Sequence, residues 1–325
     1  MIRKSPLSRR QALQLLGSGL LVSPVLTASA NDYPTKPVEL VVPAAAGGGS
    51  DALARTLADV FRKYFPQPLL VNNKPGASGS IGMTDVLNSK PDGYKVAMVV
   101  TELVILPHLG TIKFTHADFA LVALLNADPA AVTVRSDAKW NTVEEFLADA
   151  RARPGQIKSG NSGAGSIWHV AAVGLEDRAN IKLTHVPFQG AAPAIVSLLG
   201  GHIDAVTVSP AEVSEHVKAG RLKMLGVMAD RRIGTFDKVP TLKERNVDVA
   251  IAAWRGLAVP KDTPASVVES LRTATRRAAE DPAFRESLAK LNLGYAYLDA
   301  PEFASSIRSQ NDLFKSIVGK LDLKS

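Results

Sequence analysis

The stretch that decides the fold is VELVVPAAAGGGSD, residues 38–51. Its first five residues favour a β-strand, and a glycine-rich turn follows them. The segment after the turn is amphipathic at helical spacing, with an apolar face formed by Leu53, Leu57, Val60, Phe61 and Tyr64. Ser50 is the expected N-cap of this helix. A strand, a turn and a helix in this order predict a βα unit.

The same combination of glycine, small residues and a helix start occurs at four turns: Gly47 to Ser50, Gly76 to Gly79, Gly160 to Ser166 and Gln189 to Ala192. The first N–H groups of a helix lack internal partners and carry partial positive charge, so they favour a carboxylate or phosphate. Relief of backbone strain explains any one of these turns equally well. Four together predict an anion-binding site, because such turns lie along the carboxyl edge of an α/β sheet.

Residues 1–30 have the pattern of an export signal. Basic residues precede an apolar run from Ala12 to Leu26, and Ala28-Ser29-Ala30 supplies a cleavage site. The run is too short for a comfortable membrane crossing of ~20 residues. Ser8-Arg9-Arg10 also resembles a twin-arginine signal. We therefore expect export to the periplasm by the Sec or the twin-arginine route.

Alternating β-rich runs and amphipathic segments continue along the chain and predict an α/β fold with a largely parallel sheet. The length after the leader is near the size at which chains divide into lobes. We place residues 31–133 and 254–325 in lobe 1 and residues 134–253 in lobe 2. Capping boxes are expected at Thr142 with Glu145 and at Ser209 with Glu212, and caps at Thr263 and Asp299. The two connections between the lobes can act as a hinge.

Composition argues against several classes of protein. The chain has 38 Lys and Arg, four of them in the leader, against 31 Asp and Glu, so the mature net charge is only +3. No basic stripe with interleaved aromatic residues occurs, and nucleic acid is not an expected partner. There is no cysteine, no H-x-x-x-H pair and no nucleotide-binding motif. Neither a metal nor any other cofactor is expected.

A serine hydrolase is the main enzyme alternative, because serine, histidine and aspartate accompany the glycine-rich turns. The candidates are Ser50, Ser162, Ser166, His169 and Asp51. No G-x-S-x-G elbow occurs, and a triad is recognised by a geometry that this spacing does not indicate. We therefore expect a binding protein and not an enzyme.

Several short motifs carry a family resemblance. They are residues 42–51, NKPGASGSIG (73–82), KPDGY (90–94), GAGS (163–166) with His169, HVPFQG (185–190), VKAGRL (217–222) and the segment 254–264. Together they resemble the Bug family of periplasmic receptors, the solute-binding components of tripartite tricarboxylate transporters. The resemblance spans the whole mature chain.

The resemblance implies a two-lobe periplasmic-binding-protein type II fold that closes on its ligand. It implies a carboxylate ligand, such as a di- or tricarboxylate, an amino acid or an aromatic acid, held by backbone amides and water. Carried over by position, the site residues are Ala45, Gly48, Ser50, Asp51, Ser78, Gly79, Ser162, Ser166, His169, Gln189, Gly190 and Ala191. We interpret Asp51 as organising its loop by accepting N–H bonds. We expect a monomer that delivers its ligand to two membrane permease subunits. The alternative partner is a sensor kinase.

This sequence departs from the family pattern at a few positions. Ala44 stands where an aromatic residue is frequent and Ala46 where proline is common, so a stacking wall is expected to be missing. Glu102, beside Thr101, replaces a small neutral residue. If it faces the cleft it can pair with a ligand ammonium, which would favour an amino acid or another cationic acid; the alternative is a solvated acid at a loop edge.

Two tryptophans and an arginine are open to two interpretations each. Trp168, in the first turn of a site helix, either covers the ligand or packs in the core, and for Trp254 a packing role is at least as well supported as a role in the site. Arg255 either clamps a distal carboxylate or lies solvated at the surface.

Overall fold

The computed structural model describes residues 33–319. The strands are β1 (Val38–Val42), β2 (Leu69–Asn73), β3 (Lys95–Val100), β4 (Phe119–Pro129), β5 (Ala131–Arg135), β6 (Lys158–Asn161), β7 (Thr184–Pro187), β8 (Ala205–Val208), β9 (Leu222–Val227), β10 (Ala252–Pro260) and β11 (Tyr295–Asp299). The α-helices are α1 (Gly49–Phe61), α2 (Ser80–Leu87), α3 (Val143–Ala152), α4 (Ile167–Ala179), α5 (Ala191–Leu199), α6 (Pro210–Lys218), α7 (Ala265–Glu280), α8 (Pro282–Lys290) and α9 (Ala300–Val318). The expected export signal, residues 1–30, lies outside the described residues.

The strands form two sheets, each the centre of one lobe. The first sheet has the order β11-β4-β10-β3-β1-β2, and the second has the order β7-β6-β8-β5-β9. Helices α7 and α9 pack on β4 of the first sheet, while α5 and α6 pack on strands of the second. The cores are apolar, and Phe61, Phe146, Phe284 and Phe303 are fully buried within them. The predicted two-lobe α/β architecture is confirmed.

The prediction of a largely parallel sheet is wrong, because both sheets are mixed. Strands β1, β2 and β3 are parallel, but β10 runs antiparallel to β3 and β4. In the second sheet β5 runs antiparallel to β8 and β9. The antiparallel strands β4, β5 and β10 are those that carry the chain between the lobes.

The chain changes sheet at two places. The buried Ala130 connects β4 of the first sheet to β5 of the second sheet. The chain returns to the first sheet between Val227 and Ala252. Residue 133, the predicted end of the first segment of lobe 1, therefore lies within β5 of the second sheet. We propose lobe boundaries that follow sheet membership, at Ala130 and just before Ala252.

Local signals at helix starts had mixed outcomes. The capping boxes at Thr142 and Ser209 are confirmed, and Asp299 caps α9 by accepting from the Ala300 N–H at 2.8 Å. Ser50 is not the cap of α1, because the helix already begins at Gly49. Thr263 is not a cap either, since its hydroxyl donates to the carbonyl of Pro260 at 2.7 Å.

Candidate ligand-binding cleft

A cavity of about 910 Å³ lies between the two lobes. All four glycine-rich turns contribute to its wall, two from each lobe. They bring the N-termini of α1, α2, α4 and α5 to one space, and the start of α6 joins them at Ser209. Because each helix N-terminus presents N–H groups and partial positive charge, this wall favours an anion.

The first turn is organised by Asp51 behind the cavity wall. Its carboxylate accepts from the Gly47 N–H at 2.9 Å and from Arg55 Nε at 3.1 Å. Burial raises the pKa of Asp51, but the hydrogen bonds from Arg55 and Gly47 outweigh it and hold the pKa below its ordinary value. The interpretation of Asp51 as a loop organiser agrees with these contacts. Asp51 does not line the cavity.

Arg255 forms a buried network next to the first turn. Its Nε donates to the Ser50 hydroxyl at 2.8 Å, and its Nη1 donates to Asp128 Oδ2 at 2.5 Å and to Asn126 Oδ1. A Cβ added at Gly49 would lie 3.1 Å from Nη2, so the guanidinium also contacts the start of α1. Arg255 is 7% exposed and lines the cavity, and the surface interpretation is therefore wrong.

The second turn is built from four consecutive residues with positive φ. Ala77 and Ser78, at φ 46° and 51°, lie between Gly76 and Gly79. Non-glycine residues in this region are strained, and such strain is found most often where a loop shapes a site. A Cβ added at Gly82, in the first turn of α2, would lie 3.0 Å from Pro43 Cα, so glycine lets α2 approach the residue that follows β1 closely.

The third turn is held by His169 from behind. The Gly165 N–H donates to His169 Nδ1 at 3.1 Å, and the His169 N–H donates to the Ser166 hydroxyl at 3.3 Å. Burial, followed by the neighbouring His185, lowers the pKa of His169 to about 4. The ring is therefore neutral near pH 7 and Nδ1 can accept the loop N–H. His169 supports the cavity wall without lining it.

Glu102 reaches across the cleft from the segment after β3. Its Oε1 accepts from the N–H of Ile167, the first residue of α4, at 3.2 Å. Burial raises the pKa of the Glu102 carboxyl, although backbone N–H groups and Arg255 act in the opposite direction. Glu102 lines the cavity and is only partly exposed, so the alternative of a solvated loop-edge acid is wrong.

The two tryptophans differ in how they are anchored. Trp254 packs edge-on against Phe303 at 5.3 Å, and its Nε1 donates to Gln310 at 2.6 Å, which supports the packing interpretation. Its backbone N–H donates to the Thr101 hydroxyl at 2.7 Å, so Thr101 ties β10 to the end of β3. Trp168 is 3% exposed and contributes to the cavity wall.

The structure brings most of the expected site residues together around the cavity. Those that line it are Ala45, Gly48, Ser50, Ser78, Gly79, Thr101, Glu102, Ser162, Ser166, Trp168, Gln189, Gly190 and Ala191. Asp51 and His169 lie behind the wall. Phe188 and Glu212 also line the cavity. Sequence reasoning did not name them as site residues, although each is adjacent to or within a motif that it singled out.

The geometry provides no catalytic triad. In residues 33–319 no serine hydroxyl is hydrogen-bonded to a histidine ring, and the Ser166 hydroxyl instead accepts from a backbone N–H. No group of three or more His, Asp or Glu within the described part of the chain could hold a metal ion. The same range contains no helix that is both long and apolar enough to span a membrane.

A two-lobe α/β fold with helix N-termini around one cleft defines a periplasmic-type solute-binding protein. A family model described as "Tripartite tricarboxylate transporter family receptor" matches residues 53–323, and the chain belongs to this family. This result confirms the resemblance, and the likeness to solved periplasmic binding proteins confirms the two-lobe fold. It is a family of solute-binding receptors and not of enzymes.

Individual proteins agree with this assignment. A ligand-free TctC solute binding protein from Polaromonas is 52% identical, with a TM-score of 0.75 over 89% of this chain and 100% of that chain. A UPF0065 protein from Cupriavidus necator is 32% identical over 94% of this chain and 93% of its own length. MatC from Rhodopseudomonas palustris, with bound malate, is 25% identical, with a TM-score of 0.77 over 88% of this chain and 100% of that chain.

Proposed function

We propose that this protein, exported to the periplasm, captures a small carboxylate-bearing solute and delivers it to the two membrane subunits of a tripartite transporter. The observation that carries the proposal is the convergence of four helix N-termini on one cavity. The malate bound to MatC supports a carboxylate as the ligand class. No cofactor takes part in this function.

The expected mode of binding relies on the backbone. The turns at Gly48, Ser78, Ser162 and Gly190 offer N–H groups to the ligand, and side-chain hydroxyls and Gln189 add further contacts. Arg255, paired with Asp128 and bonded to the Ser50 hydroxyl, holds the start of α1 in place beside the ligand. Closure of the lobes about the connections at Ala130 and 228–251 would remove the ligand from water.

A thermal-shift screen of the mature protein tests this function. The panel contains mono-, di- and tricarboxylates, amino acids and aromatic acids. A ligand at 100 times its Kd should stabilise the protein by about 2.7 kcal/mol. Ser78→Asp, which adds a like charge inside the cavity, should abolish the shift, whereas the same change at the exposed Ser305 of α9 should preserve it. No response to any acid, or consumption of the stabilising compound, would contradict the proposal.

A further inference from the structure

We propose that Glu102 determines ligand specificity by occupying the α4 end of the cleft with the protein's own carboxylate. The protein then selects monocarboxylates whose other end is uncharged or cationic over dicarboxylates. This inference rests on the proposed function and names the ligand class for the same cleft.

The position of Glu102 is that of a ligand carboxylate. Its Oε1 lies 3.2 Å from the Ile167 N–H, in the first turn of α4. Such an N–H would otherwise be offered to an anion in the cavity. The Ser166 hydroxyl accepts from the His169 N–H in the same turn, so two groups of the protein already satisfy this helix start.

Few charged residues line the cavity. Of the described lining residues, the charged ones are Glu102, Glu212 and Arg255. Arg255 contacts the start of α1 and is bonded to Ser50. Glu212 is held by its own capping box, where it accepts from the Ser209 N–H and hydroxyl, both at 3.0 Å. The start of α1, which has no side-chain cap, is therefore open to a ligand carboxylate, whereas a second carboxylate near α4 would meet Glu102.

The other end of the ligand follows from this arrangement. An ammonium group at the α4 end can form a charge-assisted hydrogen bond with the Glu102 carboxylate. An uncharged end leaves the bond between Glu102 and Ile167 intact. A carboxylate at that end must either displace Glu102 or lie beside a like charge, and in a partly desolvated cleft both are unfavourable.

Three probes of similar shape test the inference: 4-aminobutyrate, pentanoate and glutarate end in an ammonium, a methyl and a carboxylate group. The acid that binds most tightly in the thermal-shift screen is also included, together with an analogue that has one carboxylate group more or one fewer. Affinities are measured by calorimetry for the native protein, Glu102→Gln and Glu102→Ala. The native protein should favour the ligands with one carboxylate at least tenfold. Glu102→Ala, which vacates the start of α4, should reduce that ratio at least tenfold.

The glutamine variant separates charge from folding, because its side chain keeps an acceptor for the Ile167 N–H. It should change the ratio less than alanine does, but in the same direction. Glu212→Gln removes an acidic group from the same cavity without vacating α4, and its effect should be smaller than that of either Glu102 variant.

The outcomes distinguish this inference from the proposed function. A native preference for the ligands with the extra carboxylate would overturn the role of Glu102 while leaving carboxylate capture intact. The role of Glu102 would also be overturned if neither Glu102 variant changed the ratio of affinities, or if Glu212→Gln changed it equally. If no acid binds the native protein, the proposed function fails and this inference fails with it.

Discussion

The N-termini of α1 and α4 face the same cavity from opposite lobes, yet they are completed in opposite ways. The start of α1 has no side-chain cap at Gly48, and the buried guanidinium of Arg255 lies against it. The start of α4 is capped by Ser166, and Glu102 accepts the Ile167 N–H. The start of α1 is therefore left open to a ligand beside an arginine that is already paired with Asp128, while the start of α4 is occupied by a resident carboxylate.

This difference shows that similar turns need not form equivalent anion sites. Both begin with glycine and small residues and both lead into a helix of 13 residues. Their electrostatic character is set by Arg255 and Glu102, which lie 205 residues from Ser50 and 65 residues from Ile167 along the chain. The partner that the fold brings to a helix start decides whether a ligand can use it.

Removal of the cation at the α1 end should have the largest effect on stability. Arg255→Met would leave the carboxylate of Asp128 buried, since that side chain is only 3% exposed. We expect a loss of about 3 to 5 kcal/mol in the free energy of unfolding, measured by urea denaturation. The same change at Arg232, whose pair with Glu244 is exposed, should cost less than about 1 kcal/mol. Equal losses in the two variants would contradict the network described for Arg255.

Acid should lower the free energy of unfolding through His169, which supports the turn before α4. The pKa of its folded-state ring is lowered from 6.5 to about 4. Its contribution is thus present above pH 6.5 and is lost as the pH falls from 6.5 through about 4, because the unfolded chain binds a proton at this ring in that interval while the native ring, whose Nδ1 accepts the Gly165 N–H, stays neutral. Between pH 7 and pH 4 the native protein should lose on the order of 3 kcal/mol more than His169→Asn.

Urea denaturation at both pH values measures this difference, and His202→Asn, at an exposed position of the same lobe, provides the matched control. An acid dependence in His169→Asn equal to that of the native protein would show that His169 does not support the loop in this way.

Loss of the α4 cap should have the smallest effect on stability. Ser166→Ala removes the acceptor for the His169 N–H, and about 1 kcal/mol of stability should be lost. Thr142→Ala removes the cap of α3, outside the cavity, and should cost a similar amount. Calorimetry with a ligand from the screen separates the two variants, since only Ser166→Ala should also weaken binding. Weakened binding in both variants would attribute the effect to general loss of stability.

The sequence predicted those parts of the site that depend on neighbouring residues. The turns at Gly48, Ser78, Ser162 and Gly190 were found because glycine before a helix start is a local pattern. The capping boxes at Thr142 and Ser209 are local in the same sense, since they involve residues three positions apart. The apolar run of β4 was overlooked, because such a run does not distinguish a buried strand from a helix.

Sequence by itself therefore determined the order of the βα units, the glycine-rich turns and the export-like leader. The tertiary structure alone decided that Arg255 pairs with Asp128 beside the start of α1, and that Glu102 meets Ile167 across the cleft. It also decided that His169 lies behind the wall and does not line it. The physical reason is that helix periodicity and capping act over a few residues, whereas burial and charge pairing depend on which distant segments the fold places in contact.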